Sequence, residues 1–182
     1  MKTILQVEDD PNDVFFLQRA MKKAGVTNPI HAVGDGREAI EYLTGAGQYA
    51  DREKYPFPCL VLLDLKLPHV MGLDVLSWIR KQPGTRLAVV VMLTASALED
   101  DVAAAYSLGA NAFLRKPTEA SELESMVKAI RDFWLTHNTL AQDALPQSRI
   151  EGMVSLVSLR TLGRPVPARP VETRNGKTEA KR

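Results

Sequence analysis

Residues 59–68 read CLVLLDLKLP. Five consecutive apolar residues run straight into an acid, Asp64. An unbroken apolar run, in place of a polar–apolar alternation, suits a strand covered on both faces, as in the middle of a parallel sheet. The same arrangement recurs along the chain. Residues 3–7 (TILQV) end in Glu8, Asp9 and Asp10; residues 87–93 (LAVVVML) lead into Thr94; residues 112–114 (AFL) precede Lys116-Pro117; residues 30–33 (IHAV) form a fifth short run.

Helical patterns separate these runs. Pro11-Asn12-Asp13 opens one, with Val14, Phe15, Leu17, Met21 and Ala24 at helical spacing and Gly25 closing it. Ala39, Ile40 and Leu43 share a face of a second, after the turn at Asp35-Gly36. A third spans residues 72–82 and stops at Pro83-Gly84; a fourth spans 99–108 and is capped by Gly109; a fifth runs from about residue 119 to about residue 137. Residues 45–58, rich in Gly, Pro and charge, read as a loop. Five strand–helix alternations imply an α/β fold, a doubly wound parallel sheet with helices on both faces. In such sheets the working crevice lies at the carboxyl ends of the strands. Glu8, Asp9, Asp64, Thr94 and Lys116, scattered in sequence, are therefore expected on one edge.

The 182 residues fit one domain with an extension, expected as a folded body over 1–145 and a tail over 146–182. Residues 147–182 hold eight Lys/Arg against three acids, a net +5, whereas residues 1–146 carry a net −4. An acidic body argues against nucleic-acid binding by the body itself. The basic tail leaves DNA or anionic-surface binding open as an alternative output. Its residues 164–182 have the composition of disorder, and Ile150, Met153, Val154, Leu156, Val157 and Leu159 form an apolar patch before them. One cysteine, Cys59, excludes an internal disulfide and reads as a small buried hydrophobe. With no signal peptide and no apolar stretch of about 20 residues, a cytoplasmic home is expected and no membrane partner.

Three carboxylates on one edge repel one another unless a cation shares the site. An oxygen-only cluster suits Mg²⁺. A bound Mg²⁺ would orient a phosphodonor, and Asp64 is then placed to act as a carboxylate nucleophile that forms an acyl phosphate. Lys116 brings a positive charge and Thr94 a hydroxyl to the phosphoryl oxygens. Each residue also has a plainer reading: strand-end acid, turn aspartate, helix-capping threonine, solvated lysine. Asp10 is expected to keep such a role, as the cap of the first helix. The combination at four strand ends outweighs the plain readings.

With these residues in place, the chain resembles the receiver domains of two-component response regulators. VEDD, LLDLKLP followed by MGLD, LTAS and LRKP carry the resemblance, with 30 residues from Asp64 to Thr94 and 22 from Thr94 to Lys116. It implies a CheY-like, flavodoxin-like five-stranded sheet in the order 2-1-3-4-5. It implies that Asp64 is the phosphoacceptor, that Thr94 and Lys116 contact the phosphoryl group, and that Glu8, Asp9, Asp64 and the backbone carbonyl of Lys66 hold Mg²⁺. Phe113 takes the switch-aromatic position, and the Lys116-Pro117 bond is expected to be cis. The longer connection at residues 45–58 and the ending FWLTHN resemble the small receivers that partner phytochrome-type histidine kinases. The expected partner is such a kinase, with a homodimer through the helix 4–strand 5–helix 5 face as a further expectation. Lys66, beside the line of water attack, is expected to tune phosphoryl lifetime. The implied protein is no enzyme in the usual sense; its own chemistry is phosphoryl acceptance and slow self-dephosphorylation, and its output is changed protein–protein binding. An aspartyl-phosphate phosphatase would need a second aspartate where Lys66 stands. A flavin-binding fold would place an acidic loop against a phosphate.

Overall fold

The strands are β1 (Thr3–Val7), β2 (Ile30–Val33), β3 (Pro58–Leu63), β4 (Val90–Thr94) and β5 (Ala112–Arg115). The helices between and after them are α1 (Pro11–Lys23), α2 (Gly36–Thr44), α3 (Gly72–Lys81), α4 (Glu99–Ser107) and α5 (Ala120–Ile130). These come from a computed structural model that describes residues 2–96 and 98–141. All strand pairs are parallel, in the order β2-β1-β3-β4-β5, as the resemblance implies. The tail over residues 146–182, with its apolar patch, lies outside the described residues. None of the described helices is long and apolar enough to cross a membrane.

Strand parity divides the core in two. Leu5, Val7, Val61, Leu63, Val90 and Met92 pack with Ala39, Leu43, Val75, Leu76, Ile79 and Ala105 of α2, α3 and α4. Ile4, Leu60, Leu62, Val91 and Leu93 pack with Leu17, Ala20, Met21, Val127 and Ile130 of α1 and α5. Successive residues of a strand point to opposite faces, so an unbroken apolar run serves both layers at once.

Local chemistry fixes the helix starts. Asp10 caps α1, its side chain accepting a hydrogen bond from Asn12 N at 2.8 Å. Asp35 accepts from Glu38 N at 2.7 Å while Glu38 accepts from Gly34 N at 2.9 Å, a reciprocal cap for α2. The connection at residues 45–57 is packed down. Tyr42 and Tyr49 are buried, and with Tyr55 and His31 they form an aromatic cluster with ring centroids 5.0–6.1 Å apart. The Arg52 guanidinium donates to the carbonyls of Tyr42, Leu43 and Tyr55 at 2.7–3.0 Å, tying the loop to the end of α2.

Three expectations need correction. The run at 87–93 becomes strand only from Val90. Leu87 is 51% exposed, and the carbonyls of Arg86 and Ala88 accept from Arg80 Nη1, which holds this stretch as a turn. The fifth helix does run to His137, but residues Arg131–His137 widen into a π turn. Arg131 in that turn donates to the carbonyl of Ala24 at the end of α1. The Lys116-Pro117 bond is trans: no cis peptide occurs among the described residues. Trans is the ground state of an X-Pro bond, and it accompanies a ladder hydrogen bond from Lys116 N to Thr94 O at 2.8 Å.

Candidate functional site

The parallel ladder continues one step past the strands and fixes the backbone of the edge residues. Glu8 N donates to Val33 O at 3.0 Å, Asp64 N to Val7 O at 3.1 Å and Lys116 N to Thr94 O at 2.8 Å. Side chains from β1, β3 and β5 thus emerge at one level. Glu8 is 5% exposed and Asp64 7%. Burying carboxylates is costly unless they are paired and hydrogen-bonded. Here the partner is Lys116, whose ammonium donates to Asp64 Oδ2 at 2.6 Å, to Asp13 Oδ2 at 2.7 Å and to Glu8 Oε2. The second oxygen of each buried acid is also used. Glu8 Oε1 accepts from Asp10 N at 3.2 Å, and Asp64 Oδ1 accepts from Lys66 N at 3.2 Å.

Electrostatics follow from burial and pairing. Burial raises the Glu8 carboxyl above the usual range, and the Lys116 ammonium only partly offsets it. For Lys116 burial pulls the ammonium down, but the hydrogen bonds it donates to Asp13, Asp64 and Glu8 outweigh this and hold it well above its ordinary value. Lys116 is therefore a fixed cation at neutral pH.

A glycine shapes the loop behind Asp64. Gly72 N donates to Leu65 O at 3.0 Å, folding the segment after β3 back on itself. A Cβ at position 72 would stand 1.9 Å from the Asp64 carbonyl oxygen. This close approach is what glycine makes possible there, and it gives MGLD a physical reason. Thr94 is buried at the end of β4, its hydroxyl accepting from Ser96 N at 3.3 Å. Phe113, on β5, is half-buried against the α3–α4 side of the core, and its N–H donates to the Tyr106 hydroxyl at 3.3 Å. The sequence-derived residues are thus drawn together unequally. Glu8, Asp64 and Lys116 share hydrogen bonds, Thr94 joins them through the Lys116 backbone, and Asp9 and the Lys66 side chain are exposed at the rim. Sequence reasoning missed Asp13, which stands three residues after the cap Asp10 and reads as an ordinary first-turn acid.

Glu8, Asp9, Asp13 and Asp64 set four carboxylates against one ammonium, all hard oxygen donors. Among the described residues no group of three or more acidic, histidine or cysteine side chains is arranged as a ready metal cage. The Lys116 ammonium sits where Glu8, Asp13 and Asp64 meet. Magnesium needs few protein carboxylates and keeps its waters, so the donor chemistry and excess negative charge fit a hard divalent cation at this edge.

Comparison with known proteins agrees with the geometry. Residues 4–128 match the response regulator receiver domain. Response regulator Rcp1 of Synechocystis sp. is 39% identical over 139 residues, which cover 76% of this chain and 92% of Rcp1. The crystal structure of the phosphorylated cyanobacterial phytochrome response regulator RcpA superposes with a TM-score of 0.72 at 38% identity, covering 77% of this chain and 98% of RcpA. The Mn²⁺-bound form of Rcp1 gives a TM-score of 0.70 at 38% identity, covering 77% and 99%. The chain therefore belongs to the response regulator receiver family and works in phosphorylation-based two-component signalling.

Proposed function

We propose that Asp64 is the phosphoacceptor, that its donor is a phosphohistidine of a sensor kinase, and that the output is a change in protein binding. The observation that carries this is the Lys116 ammonium on Asp64 Oδ2 at 2.6 Å, at the carboxyl edge of the sheet. An Asp64 oxygen bonds to phosphorus as the bond from phosphorus to the donor imidazole breaks. The electron pair of that bond stays on the imidazole nitrogen, which takes a proton from solvent. Lys116 holds the developing negative charge, and Thr94 is positioned one strand away to donate its hydroxyl to a phosphoryl oxygen. Mg²⁺, held by the carboxylates of Glu8, Asp9 and Asp64 and the Lys66 carbonyl, would neutralise charge during the transfer; the Mn²⁺-bound form of Rcp1 supports a divalent ion here. Phosphorylation then draws Thr94 toward the phosphoryl group and shifts Phe113 and the face formed by α4, β5 and α5.

The kinase is of phytochrome type in this reading, because RcpA is a phytochrome response regulator and Rcp1 shares most of its length with this chain. The chain is no enzyme beyond accepting and slowly losing its own phosphoryl group. Incubation with acetyl phosphate and Mg²⁺, followed by intact mass, tests the assignment. One phosphoryl adduct, lost in Asp64→Asn and on adding a chelator, is the expected result; an adduct that survives Asp64→Asn refutes it.

A further inference from the structure

An ammonium has three N–H donors. In Lys116 all three are committed to carboxylates: Glu8, Asp13 and Asp64. Phosphorylation turns the Asp64 carboxylate into an acyl phosphate, and the ammonium then has several phosphoryl oxygens to serve in its place, in competition with the two acids that remain. Those two are not equivalent. The Glu8 side chain is buried, and stripping a buried carboxylate of its cation leaves it uncompensated. The Asp13 side chain is 43% exposed, so water replaces the lost partner at little cost. Asp13 also lies on a different element from Glu8 and Asp64. It sits in the first turn of α1, and Lys116 sits between β5 and α5, so their pair ties α1 to the β5–α5 connection across 103 residues of chain.

Resting on the reading of Asp64 as phosphoacceptor, we infer that Asp13 is a latch on Lys116: it holds the ammonium in the unphosphorylated protein, competes with the phosphoryl group for it, and releases it when Asp64 is phosphorylated. Asp13 acts through Lys116 and is a positioning residue. It biases the resting state, and the same release frees α1 from the β5–α5 connection.

The probe is beryllofluoride, a phosphoryl mimic, titrated calorimetrically at saturating Mg²⁺, with Mg²⁺ affinity measured separately for each variant. Asp13→Ala is expected to bind beryllofluoride about three-fold tighter, the scale of a half-exposed ion pair. Asp13→Glu, which restores the carboxylate, is expected to return to the wild-type value. A structural role for Asp13 would loosen binding instead. In a Lys116→Ala background the Asp13→Ala gain should vanish, since the competition is for that ammonium. An equal gain in both backgrounds would mean bulk charge repulsion and overturns the latch, as does an unchanged or weakened affinity. A wild-type protein with no Asp64-dependent acetyl phosphate adduct overturns both the function and the latch, whereas an adduct with no Asp13→Ala effect overturns the latch alone.

Discussion

Two kinds of cation hold this molecule together, and they sit at different places for different purposes. Arg52 and Arg80 hold the loop after α2 and the segments leading into β4 and β5. Arg52 grips three backbone carbonyls. Arg80 donates to the carbonyls of Gly109, Arg86 and Ala88 and to Asn111 Oδ1, all at 2.8–3.1 Å. Their planar forks meet neutral, immobile acceptors, so they staple. Lys116, at the carboxyl edge, meets only side-chain carboxylates. Its round ammonium can be reassigned among mobile anions without disturbing a backbone. The difference separates a contact suited to a scaffold from one suited to a switch, on chemical grounds.

The comparison can be broken at its working end first. Lys116→Ala should slow phosphorylation by acetyl phosphate on the order of 100-fold, the usual scale for removing one donor to developing charge. Rates within a few-fold of wild type, read by time-resolved intact mass, would remove Lys116 from the chemistry. Gly72→Ala comes next. Its methyl collides with the Asp64 carbonyl, and a loss of about 3 kcal/mol in urea unfolding is expected, with phosphorylation slowed as the loop shifts. Arg80→Ala sharpens the contrast from the stapling side. It should cost about 2 kcal/mol of stability, with Arg80→Lys failing to restore it, yet leave the acetyl phosphate reaction unchanged. A phosphorylation defect in Arg80→Ala at a temperature where it is folded would erase the distinction.

The smallest effect concerns the aromatic cluster that packs the 45–57 loop. Burial pushes the Tyr42 hydroxyl up to about 12 from its ordinary 10, and that hydroxyl donates to Pro56 O at 3.1 Å. A raised folded pKa means that the native state keeps a proton the unfolded chain releases. The contribution is intact below about pH 10 and declines as pH rises toward the folded value. About 1 kcal/mol should be lost by about pH 11, measured as a falling denaturation midpoint, and Tyr42→Phe should lose less over the same window.

The fold was legible because the central strands β1, β3 and β4 announce themselves as largely apolar runs and each of these three runs leads into a polar residue. The strand order and the edge residues Glu8, Asp64, Thr94 and Lys116 follow from that and from the receiver resemblance. Leu87 shows where composition stops informing. It is apolar but exposed, and only the distant Arg80, which takes the neighbouring carbonyls, decides that the strand begins later. Asp13 was hidden for a related reason. An acid in a first helical turn has a sufficient local explanation in the helix dipole, and its partner lies 103 residues away. The trans Lys116-Pro117 bond departs from what the resemblance implies, and nothing in the local sequence distinguishes the two isomers.

The alternation within β1, β3 and β4 carries a consequence for how this protein can be altered. Leu62 and Leu63 are bonded neighbours, yet one belongs to the layer with α1 and α5 and the other to the layer with α2, α3 and α4. Leu63 and Val75 are twelve positions apart and share a layer. Covalent adjacency and energetic adjacency are therefore opposed in the middle of the molecule. The sheet behaves as a party wall between two independently furnished rooms. Repacking one side can be attempted without renegotiating the other, whereas deleting a single residue from β3 would move every tenant through the wall.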